Sequence, residues 1–457
     1  MNNPAAEGKA SSVCQGETQD APEIRAVGLT SSVQIGDRAA IHPRMNVSSM
    51  VEIGLAVCLI TLLLGTSVFV VSAASGSTAG YYLGYMGGAF RRFTLYLQIP
   101  LWVAASVFAI STRSGRAGFH WPRLLPVIFF WCLAFMQLAF ADRFQALPKI
   151  EMLLEMIPVI LLALPLYSQR GCHLFWLGLM TAGLLFFVSL LLSGQLVSVF
   201  SGGGLRGLEV ETSDRLDLGV DTITSASVMC QCVLAAVLWL SAQPRKIGFW
   251  LAGIPVCACL FGTALLTGSK GPILSLVVAL AVASLIRGSK RTIIGLLAVG
   301  GVVAVLWAAI QTAGYYAGST RHLDVGFDDR GRASFYEFVV RSVPTLFGNG
   351  VGSFTVNNGF EIGGYVHNSI LEAYYEMGGF GAALFLWAVG SVGLFLCRVV
   401  RAHRDPVAGF ILAYFSYGLA FSMVSGSIFG DTTLWLGTIF ACAWPTRRPD
   451  TKCIPVA

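Results

Sequence analysis

The chain has 457 residues, of which 55% are hydrophobic and 12% charged, with a mean hydropathy of +0.71. One soluble core could not bury that much apolar surface, so the composition excludes an ordinary water-soluble enzyme and makes the bilayer the solvent for most of the chain. The formal net charge of +6 comes without a clustered basic face carrying interleaved aromatics, so nucleic acid is not an expected partner.

Residues 1–48 are rich in Ser, Gly and Ala with scattered charge and hold no apolar run. They read as a disordered cytoplasmic tail rather than a signal peptide or a folded domain. Stretches of roughly 18 to 22 apolar residues then recur over residues 49–445. They predict twelve transmembrane helices, beginning near Met50, Thr94, Leu124, Ile150, Cys172, Asp221, Ile247, Pro272, Thr292, Gly378, Pro406 and Gly430. The predicted fold class is an all-α polytopic membrane protein with a large external loop, residues 313–377, between spans nine and ten. Residues 446–457 are a cytoplasmic C-terminal tail.

Orientation follows from the basic residues. With the N-terminal tail inside, the connections bearing Arg113, Arg116 and Arg123, then Arg170, Arg245 and Lys246, then Arg287, Lys290 and Arg291, then Arg398, Arg401 and Arg404 all fall inside, whereas the short connection from Gly426 to Asp431 carries no cation and falls outside. Most acids are expected outside, in the stretches Glu209 to Asp221, Asp324 to Glu337 and Glu361 to Glu376. No cysteine lies in an expected outer loop, so no disulfide framework is predicted. The Cys-x-Cys pairs starting at Cys230 and Cys257 lack nearby His or acidic ligands and read as small buried hydrophobes, not a metal site.

The outer polar elements are few. The connection Ser193 to Val220 carries Arg206 and Arg215. Thr267-Gly-Ser-Lys270-Gly-Pro272 reads as a tight turn between two spans, and Lys270 is either a cation presented to water or a lysine snorkelling from a helix end. The long segment from Thr312 to about Met377 carries Arg321, His322, Arg330, Arg332, Arg341 and His367, and long ordered loops are more often functional than accidental. His367 sits where this segment re-enters the membrane. Asn368 and Ser369 can cap the helix bearing Glu372 and Glu376, and a histidine at that N-terminus is held neutral, as a proton acceptor requires. The alternative is a capping or interfacial histidine with no chemistry.

Gly348-Asn-Gly-Val-Gly-Ser-Phe354, then His367-Asn368, then Glu376-x-Gly378-x-x-Gly381 resembles the core signature of the O-antigen ligase and O-antigen polymerase superfamily, membrane glycosyltransferases that use lipid-linked glycans. Arg332-x-x-x-Tyr336 and Pro344-x-Leu-Phe-Gly348 are similar to the family's approach to this loop. Thr267-Gly-Ser-Lys270-Gly resembles its Ser-Arg-Gly turn, with lysine replacing arginine and so without the bidentate fork that grips phosphate.

The resemblance implies that residues 49–445 form a transmembrane glycosyltransferase domain in the bacterial inner (cytoplasmic) membrane, its active site facing the periplasm. The implied donor is an undecaprenyl-pyrophosphate-linked glycan, and the acceptor a sugar hydroxyl on another glycan or on lipid A core. Membrane lipids, a chain-length regulator and a flippase are the other implied partners. His367 is the implied catalytic residue, and Arg215, Lys270 and Arg332 the pyrophosphate-binding cations, with no metal or cofactor; Arg206 and Arg341 stand in reserve. Glu372 and Glu376 are expected to hydrogen-bond sugar or loop backbone. The Tyr365-Val-His-Asn run and the Asp329 to Tyr336 lead-in resemble polymerases somewhat more than ligases. A flippase or secondary transporter is the reading from another class. Against it stand an outward largest connection, no visible internal repeat and no charged pair at a span centre.

Overall fold

The computed structural model describes residues 121–141, 146–147, 149–150, 152–153, 156, 169–192, 222–242, 247–266, 270–288, 301, 330–342, 345–357 and 366–442. Among the described residues all regular structure is helical. The helices are α1 (Trp121–Phe140), α2 (Gln169–Leu192), α3 (Thr222–Ala242), α4 (Ile247–Leu266), α5 (Lys270–Arg287), α6 (Arg330–Arg341), α7 (Ser353–Asn357), α8 (Ser369–His403), α9 (Pro406–Val424) and α10 (Thr432–Cys442). Arg123–Phe140, Ser369–His403 and Pro406–Val424 are long and apolar enough to cross a membrane, and the described parts of α2, α3, α4, α5 and α10 are shorter apolar helices.

These helices coincide with predicted spans starting near Leu124, Cys172, Asp221, Ile247, Pro272, Pro406 and Gly430. The spans expected from Met50 and Thr94 and both tails lie outside the described residues; only scattered residues of the spans expected from Ile150 and Thr292 are described, and of the large loop residues 330–342, 345–357 and 366–377 are. The count of twelve therefore stands as an expectation.

Local chemistry explains several boundaries. Asp405 caps α9, its carboxylate accepting from Val407 N at 2.7 Å and Ala408 N at 3.3 Å, and Pro406 opens the helix where a missing N–H is no loss. Two starts differ from expectation. Lys270 is the first residue of α5 rather than part of a preceding turn. The tenth span does not begin at Gly378: α8 begins at Ser369 and runs through Gly378, whose φ of 75° and ψ of −174° kink it. At 1.5 Å per residue, α8 would be about 52 Å long if straight, well beyond a bilayer core of about 30 Å. The part before the kink is a head rather than a span.

The core forms where α9 packs against α5, α8 and α10. Trp176 of α2 stacks on Phe410 of α9 at 5.1 Å, and Phe130 and Trp131 of α1 meet Trp435 of α10 at 5.8 and 5.0 Å. α10 approaches α9 closely because a Cβ on Gly437 would lie 2.8 Å from Phe415 Cα. Between α3, α9 and α10 a buried neutral network is closed on itself. Tyr414 donates to Gln231 Oε1 at 2.9 Å, Gln231 Nε2 donates to Thr433 Oγ1 at 3.2 Å and Ser227 Oγ at 3.3 Å, and Tyr417 donates to Ser227 Oγ at 3.0 Å.

The two ends of the bundle differ. At one end Arg123 lies 3.5 Å from the centre of the Phe395 ring, and a Cβ on Gly409 would come within 2.9 Å of Arg287 Nε. The other end gathers Gln137, Lys149, the start of α5, the head of α8 and the turn 425–431. A second, small core stands there. Val339 of α6, Phe354 of α7, Val366 and Tyr375 of α8 are buried together, with Phe354 edge-on to Phe335 at 5.7 Å and to Tyr375 at 5.6 Å.

Candidate functional site

His367 is half-buried between buried Val366 and the N-cap of α8, and its φ of 59° is left-handed. A non-glycine residue holds that conformation only when its neighbours over-determine it, and such residues cluster at functional sites. The neighbours are visible. Val366 is sunk in the second core. Asn368 is extended and its side-chain oxygen accepts from Ile370 N and Leu371 N, both at 3.1 Å. Ser369, the other expected cap, instead donates to Ser422 O at 3.2 Å and ties the first turn of α8 to the end of α9.

The glycine motif docks into the kink of α8 through backbone atoms. An unbroken helix would pair Tyr375 O with the N–H of residue 379 and Glu376 O with that of residue 380. Here Asn349 N donates to Tyr375 O at 3.0 Å, Gly350 N donates to Glu376 O at 2.9 Å, and Phe380 N donates to Leu346 O at 3.2 Å. The loop is thus inserted into the helix ladder, which is one of the few ways a sharp kink arises. Gly348 and Gly378 face each other with φ of 80° and 75°, and a Cβ on either would collide with backbone of the other's segment. That explains why glycine stands at both positions. Gln137 of α1 holds the loop from outside, donating to Phe347 O at 2.7 Å.

Further along the same head of α8 lies a buried ionic hub. Lys149 Nζ donates to Glu372 Oε1 and lies 3.3 Å from Glu376 Oε1, all three side chains being 1% exposed. Glu372 also accepts from Ser427 Oγ at 2.7 Å and from Ile428 N at 2.9 Å. Glu372 is therefore committed to Lys149 and the turn 427–428 and is not available to sugar. Its bond to Ile428 N is a main-chain contact in the turn before α10. Lys149 is not among the sequence-predicted site residues, and the hub lies at the head of α8, not at a span centre. The Lys149–Glu372 pair joins residues 223 positions apart; the one available signal was that an ionisable residue beside a predicted span requires a partner.

The predicted cations are placed unevenly. Arg215 and Arg206 lie outside the described residues. Lys270 opens α5, and Arg332 lies in the first turn of α6. Arg341 ends α6, where it is exposed and pairs with Glu337 one turn earlier; that accounts for its charge as an ordinary solvated helix pair. The start of α5 and the head of α8 rest on the same stretch of chain. A Cβ on Gly271, next to Lys270, would strike the Ser425 hydroxyl, while Ser422, Ser427 and Ile428 hold Ser369 and Glu372. Among the described residues no group of His, Cys, Asp or Glu could hold a metal ion.

The stretch that carries these features can be compared with known families. Residues 255–386 match the O-antigen ligase family model. This supports the O-antigen ligase and polymerase superfamily, whose members are glycosyl-transferring enzymes. The match accompanies three helices long and apolar enough to cross a membrane, the character of a multi-pass membrane protein, and the family it points to is one of polysaccharide ligation or polymerisation. The matched residues run from within α4 to just past the kink of α8, so they include Lys270, Arg332, His367, Glu372 and Glu376. Lys149, Arg215 and the turn 425–431 lie outside them. No curated protein matches the chain.

Proposed function

We propose that the protein is an inverting glycosyltransferase of the bacterial inner membrane that moves a glycan from undecaprenyl pyrophosphate to a sugar hydroxyl at the periplasmic face. The observation that carries this reading is the meeting of α5 and α8 on the turn after Ser422, which brings the chain positions of Lys270 and His367 to one end of the bundle. Both helices point their N-terminal, electropositive ends there. Arg123 and Arg287 lie at the opposite end, as the positive-inside rule requires if this end is periplasmic.

In the proposed reaction the acceptor hydroxyl attacks C1 of the donor sugar while His367 takes its proton. The C1–O bond to pyrophosphate breaks, and the electron pair leaves with the pyrophosphate. Charge develops on that leaving group, and Arg215, Lys270 and Arg332 compensate it in the part a divalent ion plays elsewhere. Lys270 acts as a point charge, whereas the two arginines offer planar forks.

Polymerisation is the first reading of the acceptor, on the Tyr365-Val-His-Asn and Asp329 to Tyr336 runs; the O-antigen ligase description of the matched family favours ligation to lipid A core as the second. A reconstituted assay separates them. Purified protein in proteoliposomes, given extracted lipid-linked donor and either a second lipid-linked repeat or lipid A core, is expected to lengthen the repeat without any ion gradient. Transfer to core alone selects the ligase. Movement of donor across the bilayer without bond formation would overturn glycosyl transfer in favour of a flippase.

A further inference from the structure

The ionic hub has no part in the chemistry just described, yet it is an expensive object. Three charged side chains, each 1% exposed, lose most of their hydration, and mutual attraction repays this only when geometry and extra hydrogen bonds are good. Glu372 and Glu376 are also one turn apart on α8, an arrangement in which like charges repel. An apolar trio would fill the same space at lower cost. What the hub supplies is a fixed junction of four chain segments. Lys149 comes from the described residues following α1. Glu372 belongs to the head of α8. Ser427 and Ile428 form the turn before α10. Glu376 adds the fourth segment, because its own carbonyl accepts Gly350 N of the glycine loop at 2.9 Å. His367 stands at the N-terminal end of this head, five residues before Glu372, in a left-handed backbone conformation that its neighbours must hold.

Resting on the proposed role of His367, we infer that Lys149 is a positioning residue for transfer. It bridges Glu372 and Glu376, locks the α8 head to the 427–428 turn and the glycine loop, and thereby holds His367 where the acceptor proton is taken. It touches neither substrate nor reacting atoms. Misplacing a catalytic group by about 1 Å can cost 10²-fold in rate, so a loosened head reduces turnover while donor binding through the cations persists.

The test measures kcat and KM for extracted lipid-linked donor in proteoliposomes for full-length wild type, Lys149→Met, Ser427→Ala and His367→Ala. Lys149→Met is expected to lower kcat at least ten-fold with donor KM within about two-fold of wild type. Ser427→Ala removes one neutral hydrogen bond of the junction and leaves every charge in place; its kcat should fall about two- to ten-fold, again at constant KM. If Lys149→Met cannot be recovered folded, Ser427→Ala decides alone. Wild-type kcat in the recoverable variants, or a raised KM at constant kcat, overturns positioning by Lys149. Failure of the underlying chemistry looks different: His367→Ala would then turn over like wild type. Lost turnover in His367→Ala beside wild-type turnover in Lys149→Met and Ser427→Ala removes the positioning role alone.

Discussion

The neutral cluster of Ser227, Gln231, Tyr414, Tyr417 and Thr433 and the ionic hub of Lys149, Glu372 and Glu376 are both buried in this bundle. They are built for different ends. The neutral cluster joins three apolar helices through donors and acceptors that satisfy one another, and removing a partner costs only the desolvation of what is left. The hub ties the helical head of α8 to a turn and, through the main chain of Glu376, to the glycine loop, and it places two carboxylates against one ammonium. Ions are used where a helix end must be fixed to a turn and a loop, and neutral side chains where helices merely pack.

The largest effect that would sharpen this contrast is kinetic. His367→Ala, at the tip of the head that the hub fixes, is expected to insert and fold normally while transfer falls about 10²- to 10⁴-fold; His322→Ala should stay near wild type in the same assay. Next comes stability. Lys149→Met leaves two buried carboxylates facing each other and should cost about 3 to 5 kcal/mol in denaturant unfolding of the detergent-solubilised protein. The cation at the start of α5 follows, with Lys270→Ala losing about 2 to 3 kcal/mol of transition-state stabilisation and Lys270→Arg keeping most activity, read from kcat/KM. The neutral cluster should be more forgiving: Gln231→Leu removes the acceptor of the Tyr414 hydroxyl and the donor to Thr433 and Ser227, and should cost about 1 to 3 kcal/mol of stability without a specific loss of turnover. If it equalled Lys149→Met in stability and lowered kcat as well, the division between the two clusters would collapse. Asn368→Ala, which removes the cap of α8 next to His367, is the smallest at about 0.5 to 2 kcal/mol.

How far these features were legible depended on their range along the chain. Apolar run length places α1 and α9 within a few residues, because insertion into a bilayer answers to local composition. Asn368 as a cap was also legible, since its partners are two and three residues ahead. Lys270 was expected in a turn because Gly268, Gly271 and Pro272 punctuate the run, but a proline in a first turn does not prevent a helix from starting. The kink at Gly378 could not be read from α8 itself, because the groups that open the helix come from the loop around residue 350. Lys149 and Glu372 lie 223 positions apart, and only folding brings them together.

The docking of the glycine loop has a consequence for how such a protein can diversify. Gly350 and Leu346 are joined to α8 by main-chain atoms alone, Asn349 by its N–H and its side-chain amide, and main-chain atoms are the same in every residue except proline's missing hydrogen. Gly348 and Gly378 are tied to their identities, and Phe354 is occupied in the small core, but the anchorage asks little of the side chain at Leu346, which points outward at 66% exposure. A lineage could retailor what this exposed loop presents to its surroundings, residue by residue, while the attachment of the loop to its helix stayed unaltered.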